Sequence, residues 1–281
     1  MRERIQRRLA LGSVWIHSAL IVLAALALYP IAFMLVNAVK TGEETTTSPF
    51  TWPAHPLWQN FALALQATWP AYGRTVFIDI VSVAAMLICA LLAAYAFAKI
   101  DIPEREWLFY SIFGLLMIPS FLTLIPLFLE IKALHLLNSV WGLILPYIAG
   151  GQAFCIFILR SFIRSLPDEL FDAARIDGAG EMRLFLNLAV PLSIPVLVTL
   201  ATLNIVGIWS DFILPSLVMN TSHSTVAMAI ASFVPPPQAP SLNAFNMQLA
   251  AFAISSLPIL ILFLFLMRYF VAGITNGALK M

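Results

Sequence analysis

Apolar residues in this chain gather into six long runs, at 14–36, 75–98, 107–129, 139–159, 191–212 and 249–271. A helix needs about 20 mostly apolar residues to cross the hydrocarbon core of a bilayer, so each run predicts one membrane span. The polar exceptions are few. Asp79 sits in the second run and Asp211 ends the fifth, positions tolerable only in a protein interior or at a helix end. The first run exceeds a signal-peptide core and no small-residue cleavage site follows it, so it is predicted as a mature span. The connecting segments divide into an outer loop at 37–74, a second outer loop at 213–248 and an inner loop at 160–190. In the inner loop, Leu166, Leu170, Ala173 and Ala174 follow helical spacing. They predict a short helix over 166–176 whose apolar face narrows to two alanines. Ser165 followed by Asp168 reads as a capping-box-like start, and Pro167 suits a first turn. Gly178 suits the left-handed residue that ends a helix, and a second helix is predicted to lead into span five.

Composition narrows the class. The chain of 281 residues is 61% hydrophobic and 10% charged, against roughly 25% charged in ordinary globular domains. A soluble protein so poor in charge would expose large apolar patches. The fold class is therefore an all-α membrane protein with six transmembrane helices, read as one transmembrane domain over 1–281. A net charge of +1 excludes a nucleic-acid binder, because phosphate binding needs a basic surface. Cys89 and Cys155 lie inside apolar runs and read as small buried hydrophobes. No His-Glu-x-x-His or paired-cysteine spacing occurs, so no metal site is expected.

Charge distribution orients the spans. Twelve of the 15 Lys and Arg residues fall in the N-terminus, the second and fourth connections and the C-terminus. Lys40, Arg74 and Lys132 fall on the other side. The bias places both termini in the cytoplasm. The outer loop at 37–74 carries Trp52, Trp58, Trp69 and Tyr72, amphipathic rings that favour the headgroup layer. The loop at 213–248 has no Lys, Arg, Asp or Glu and includes Pro235, Pro236 and Pro237, a stiff backbone. It reads either as a segment that inserts into a partner protein or as a passive re-entrant connector.

The inner loop also carries a resemblance. Asp172-Ala173-Ala174, then Gly178, then Leu188-Ala189-Val190-Pro191 resembles the cytoplasmic loop of ATP-binding-cassette importer permeases. That family's pattern is Glu-Ala-Ala, three residues, Gly, nine residues, Ile-x-Leu-Pro. The spacing is met throughout, with Asp for Glu, Leu for Ile and Val for Leu. Ala94-Tyr95-Ala96-Phe97-Ala98-Lys99, Trp209-Ser210-Asp211-Phe212 and the tail from Gly273 to Lys280 resemble the carbohydrate-uptake branch of the family, of the maltose and glycerol-3-phosphate permease type.

The resemblance implies a type I importer permease without its own ATPase site. None of the four lysines follows a glycine, so no phosphate-cradling Gly-Lys-Ser/Thr motif exists. ATP and Mg would sit on two separate ATPase subunits, with no cofactor in this chain. A second permease, an extracytoplasmic solute-binding protein, membrane lipid and a sugar complete the implied partners. Asp172, Ala173, Ala174, Asp177, Gly178 and Pro191 are the expected ATPase-coupling residues, and Thr275, Gly277 and Lys280 an ATPase-contacting tail. Pro235, Pro236, Pro237 and Ser241 are expected to meet the binding protein. Polar residues in spans are functional candidates by default, so Gln152, Asn204, Trp209 and Asp211 are candidates for the substrate path, with helix-to-helix hydrogen bonding as the alternative role. Asp79 is expected near the outer, hydrated end of its span.

Other functions remain to be weighed. An importer of a non-sugar solute such as glycerol phosphate would share every feature above. An ion-coupled secondary transporter would use Asp79 and Asp211 as relays, but leaves the loop at 166–191 without a role. An intramembrane enzyme would need a nucleophile–base pair, and Ser111 and Ser193 lack an in-span histidine at matching depth.

Overall fold

A computed structural model describes residues 2–237 and 243–278, with side chains over 15–237 and 243–266. The described residues form helices and turns. Among the described residues, five helices are long and apolar enough to cross a membrane, or six if one sharply bent pair is a single span. The chain divides into two compact units. One comprises the residues up to Thr68 with Phe233–Ser256, and the other Trp69–Ser232 with the residues from Leu257 on.

In the first unit, α1 (Arg2–Ala38) leads into α2 (Gly42–Thr47). Thr41 and Glu44 form a capping box at the start of α2. Beside it Lys40 is fully buried, with its ammonium donating to Ser48 O at 2.8 Å and Pro49 O at 3.1 Å. Asn60 Nδ2 donates to Ala38 O, and Asn246 Nδ2 to Asn37 O. The segment is held by polar side chains on backbone carbonyls rather than by apolar packing alone. Trp52 and Trp58 are two-thirds exposed. Helix α3 (Gln59–Lys99) begins well before the predicted span, so residues expected in the loop continue as helix.

In the second unit the predicted third span is not one rod. Helix α4 (Arg105–Gly114), extended by one tight turn over Leu115–Met117, meets α5 (Ser120–Ala133) at a bend of 97°. Pro119 stands at the break. Proline disfavours helical backbone in the residue before it, and Ile118 is extended with φ −83° and ψ 115°. Helix α6 (Trp141–Arg164) follows, then α7 (Asp168–Ile176) and α8 (Glu181–Leu184). A π-helical turn over Phe185–Ala189 joins α8 to α9 (Val190–Ser210), and Val190 N–H reaches back five residues to Phe185 O. Pro191, the second residue of α9, cannot donate, which favours a register change just before it.

The charge-free segment after α9 is largely folded into its own unit. Helices α10 (Ile213–Val218) and α11 (Val226–Ala231) place Leu214, Val218 and Met228 in one core with Ile78 and Val83 of α3. Val226 N–H donates to Thr75 Oγ1 at 2.9 Å, and Arg74 donates to Ser224 O. Its buried residues pack against their own chain, while Ile213, Leu217 and residues 220–223 stay exposed. Pro235, Pro236 and Pro237 lie in non-helical backbone in the first unit, and Ser241 lies outside the described residues.

Candidate functional site

The inner loop forms the helix that its sequence predicts, with different ends and a different buried face. Ser165 belongs to the end of α6, where its hydroxyl donates to Phe162 O, and no side chain caps α7. The expected capping box is absent. The helix starts at Asp168 after Pro167, whose ψ of 130° is extended. Asp168 and Glu169 in the first turn and Arg175 in the last complement the helix dipole. At the other end Gly178 takes φ +81°, Gly178 N–H bonds Arg175 O, and Ala179 N–H bonds Ala174 O, closing a Schellman motif.

Phe171, not the alanine pair, anchors α7. It is fully buried, 6.4 Å from the Tyr95 ring, with the Lys99 ammonium 4.4 Å above its face. Leu166 and Ala174 pack on the same core, whereas Leu170 and Ala173 face outward. Phe171 and Ala174, three residues apart, carried this signal in the sequence. Around the anchor, Lys99 Nζ donates to Asp168 Oδ1 at 2.6 Å and to Leu166 O at 3.1 Å. That hydrogen bond holds the Asp168 carboxyl below its ordinary range. Arg175 donates to Asp172 Oδ1 and Glu181 Oε1, each at 3.1 Å, and Tyr95 Oη donates to Glu181 Oε2 at 2.7 Å. Asp172 therefore pairs with its own helix. Ala173, Asp177, Gly178 and Pro191 are exposed, beside Leu170, Ile176 at 87% exposure and Met182.

A second feature lies within the same unit. A cavity of about 430 Å³ is lined by Met86 of α3, Tyr147 and Gly150 of α6, and Asn204, Ser210 and Asp211 at the end of α9. Tyr147 Oη donates to Asp211 Oδ2 at 2.9 Å, and Asp211 Oδ1 accepts from Ile213 N–H. Asn204 and Asp211 thus reach one cavity. Asn204 Nδ2 donates to Leu200 O of its own helix, and Gln152 Nε2 donates across to Met86 O at 3.2 Å. Trp209 points elsewhere. It lies 6.0 Å from the Tyr72 ring and lines a separate, largely apolar cavity of about 490 Å³ with Trp69 and Pro258. Tyr72, expected at the headgroup layer, is buried there. Asp79 is also buried, at 4% exposure, instead of hydrated. Tyr147 was missed by sequence reading because a span tyrosine looks like any other apolar aromatic. Among the described residues, no group of three His, Cys, Asp or Glu is placed to hold a metal. Thr275 and Gly277 lie where only the backbone is described, and Lys280 lies outside the described residues.

Comparisons with known proteins add to this geometry. Residues 86–276 match the model of a family described as binding-protein-dependent transport system inner membrane component. The chain is 30% identical to the diacetylchitobiose uptake system permease protein NgcG of Streptomyces coelicolor, covering 94% of this chain and 88% of that one. It is 31% identical to the arabinooligosaccharides transport system permease protein AraQ of Halalkalibacterium halodurans, covering 92% and 93%. It is also 31% identical to the sn-glycerol-3-phosphate transport system permease protein UgpE of Yersinia pestis, covering 94% and 96%. Among solved structures, a chain of a bacterial ABC transporter involved in the import of alginate shares the fold. It has a TM-score of 0.80 and 22% identity, over 92% of this chain and 96% of that chain.

Proposed function

Because the chain belongs to the family of binding-protein-dependent transport system inner membrane components, we propose that it is the permease subunit of an ABC importer for a sugar or oligosaccharide. The protein is a multi-pass component of the inner membrane. It carries no ATPase chemistry in this reading. ATP and Mg belong to two ATPase subunits, a second permease completes the pathway, and an extracytoplasmic binding protein delivers solute. Both termini and α7 lie on the cytoplasmic side, consistent with the bias of Lys and Arg.

One observation carries the reading. Helix α7 is held by a buried anchor on one face and leaves Leu170, Ala173, Ile176 and Gly178 exposed on the other. Exposed apolar side chains on a short, firmly seated helix suit insertion into a groove on the ATPase. ATP-driven closure of the ATPase pair would then shift the spans between inward- and outward-facing states. The tail around Thr275, Gly277 and Lys280 is proposed to lie against the same subunits. Pro235–Pro237 and Ser241 are proposed to meet the binding protein. Solute would pass the cavity bearing Asn204 and Asp211, where amide, phenol and carboxylate groups match sugar hydroxyls. Gln152 and Trp209 make helix-to-helix and ring contacts, which supports a structural role for both.

The test is uptake by the complete complex in proteoliposomes. Ile176→Asp changes a residue exposed on this chain, so the chain itself should fold. It should lower oligosaccharide-stimulated ATP hydrolysis about tenfold, the loss of one buried interface anchor. Uptake by the purified chain alone on an ion gradient would overturn the reading in favour of a secondary transporter.

A further inference from the structure

The C-terminal end of α3 is tied to three other helices at once. The last carbonyls of a helix have no donors of their own. Here arginines supply them: Arg160 Nε from α6 to Phe97 O at 3.3 Å, Arg175 Nη2 from α7 to Lys99 O at 3.4 Å, and Arg105 Nη1 from α4 to Ile100 O at 3.1 Å. Arg160 is itself buried, stacked 3.7 Å over Phe109 and paired with Glu106. From the same helix end, Lys99 and Tyr95 grip α7 at both of its ends. Lys99, with a side chain 4% exposed, holds Leu166 O, Asp168 and the face of Phe171. Tyr95 holds Glu181, which in turn holds Arg175.

Further along the same helix, Met86 lines the cavity. Its carbonyl accepts from Gln152, its Sδ lies 3.8 Å from Cys155 Sγ, and a Cβ on Gly151 would overlap its side chain. From Met86 to Lys99 is about 20 Å of α-helix, with no proline between them. We propose that this half of α3 is the rod that couples α7 to the cavity, and that Lys99 is the positioning residue that makes α7 move with it. A helix that touches the cavity wall at one point and grips α7 at its end transmits displacement without needing α7 to touch solute. Asp172, bound to Arg175, is then part of the grip and not a free contact for a partner.

The inference rests on the ABC-importer reading, and the experiment separates the two. The complex of this chain, its permease partner, the ATPase pair and the binding protein is reconstituted, and solute imported per ATP hydrolysed is measured for wild type, Lys99→Met, Lys99→Arg and Tyr95→Phe. Lys99→Met keeps the apolar stem and removes the charged grip. It should lower the transport-to-hydrolysis ratio at least about tenfold while hydrolysis persists. Lys99→Arg should restore most of the ratio, and Tyr95→Phe should give a smaller loss. A merely structural role lowers import and hydrolysis together and leaves the ratio intact, which overturns the proposal, as does an unchanged ratio in Lys99→Met. If the wild-type complex shows no solute-stimulated hydrolysis, the importer reading itself has failed.

Discussion

Gly178 and Gly142 show two different reasons for a glycine. At Gly178 an added Cβ meets nothing within 4 Å, but φ is +81°. Only the backbone resists a side chain there, by about 1–2 kcal/mol. At Gly142, early in α6, φ is ordinary and an added Cβ would overlap Leu136 O, a backbone atom that cannot swing away. Gly178→Ala should therefore loosen α7 locally, speeding its amide exchange about fivefold or more, with Gly178→Asn milder because Asn tolerates the left-handed region. Gly142→Ala should leave α7 exchange unchanged and loosen the start of α6, by about 1–3 kcal/mol of overpacking. Equal effects of both substitutions on α7 would contradict this distinction. Gly178 was legible in the sequence because a helix stop depends on one residue's own backbone. For Phe171 the sequence holds only its helical spacing with Ala174; that its ring is the anchor depends on Tyr95 and Lys99, far away in the chain.

Helix α7 is an element whose seat depends on charge. Lys99 lowers the pKa of Asp168 below its ordinary 3.8, so the ion pair stabilises the docked helix above that value. The contribution is lost only as pH falls through the lowered value. A spin-label distance between α7 and α3 should thus be constant from about pH 5 to 9 and lengthen only in stronger acid. Asp168→Asn should shrink that acid step to the part carried by Glu181, whose hydrogen bonds to Tyr95 and Arg175 also hold its carboxyl below the ordinary range. A transition near neutral pH would show that another group controls the seat. The broken third span marks the limit of element-level reading. Prolines also occur inside α1, α3, α5, α6, α9 and the last helix, α12 (Ala244–Ala278), at Pro30, Pro70, Pro126, Pro146, Pro195 and Pro258, and those helices continue. Each proline removes one backbone bond. Whether the helix breaks there depends on what its neighbours can satisfy, which no local pattern records.

For the whole molecule, the bias of basic residues predicts that the inner loop and the segment after α9 face opposite sides of the membrane. In a Cys89→Ser background, Ser222→Cys should react with a membrane-impermeant thiol reagent in intact cells. Ile176→Cys should react only after the inner face is opened. Both native residues are exposed, so equal labelling in intact cells would reverse the orientation. Local sequence pattern was enough to establish that the chain is a helical membrane protein, where its apolar runs lie and where α7 stops. Each of these depends on the transfer of a side chain from water to hydrocarbon, or on one residue's dihedral angles, and such terms are local. Packing settled that Phe171 is the face α7 buries, that span three bends at Pro119, that Leu214, Val218 and Met228 join a core with α3, and that Tyr147 and Asp211 meet in one cavity. Those outcomes join residues as far apart as Tyr95 and Glu181, and a hydrogen bond across that span of chain exists only once the helices have packed.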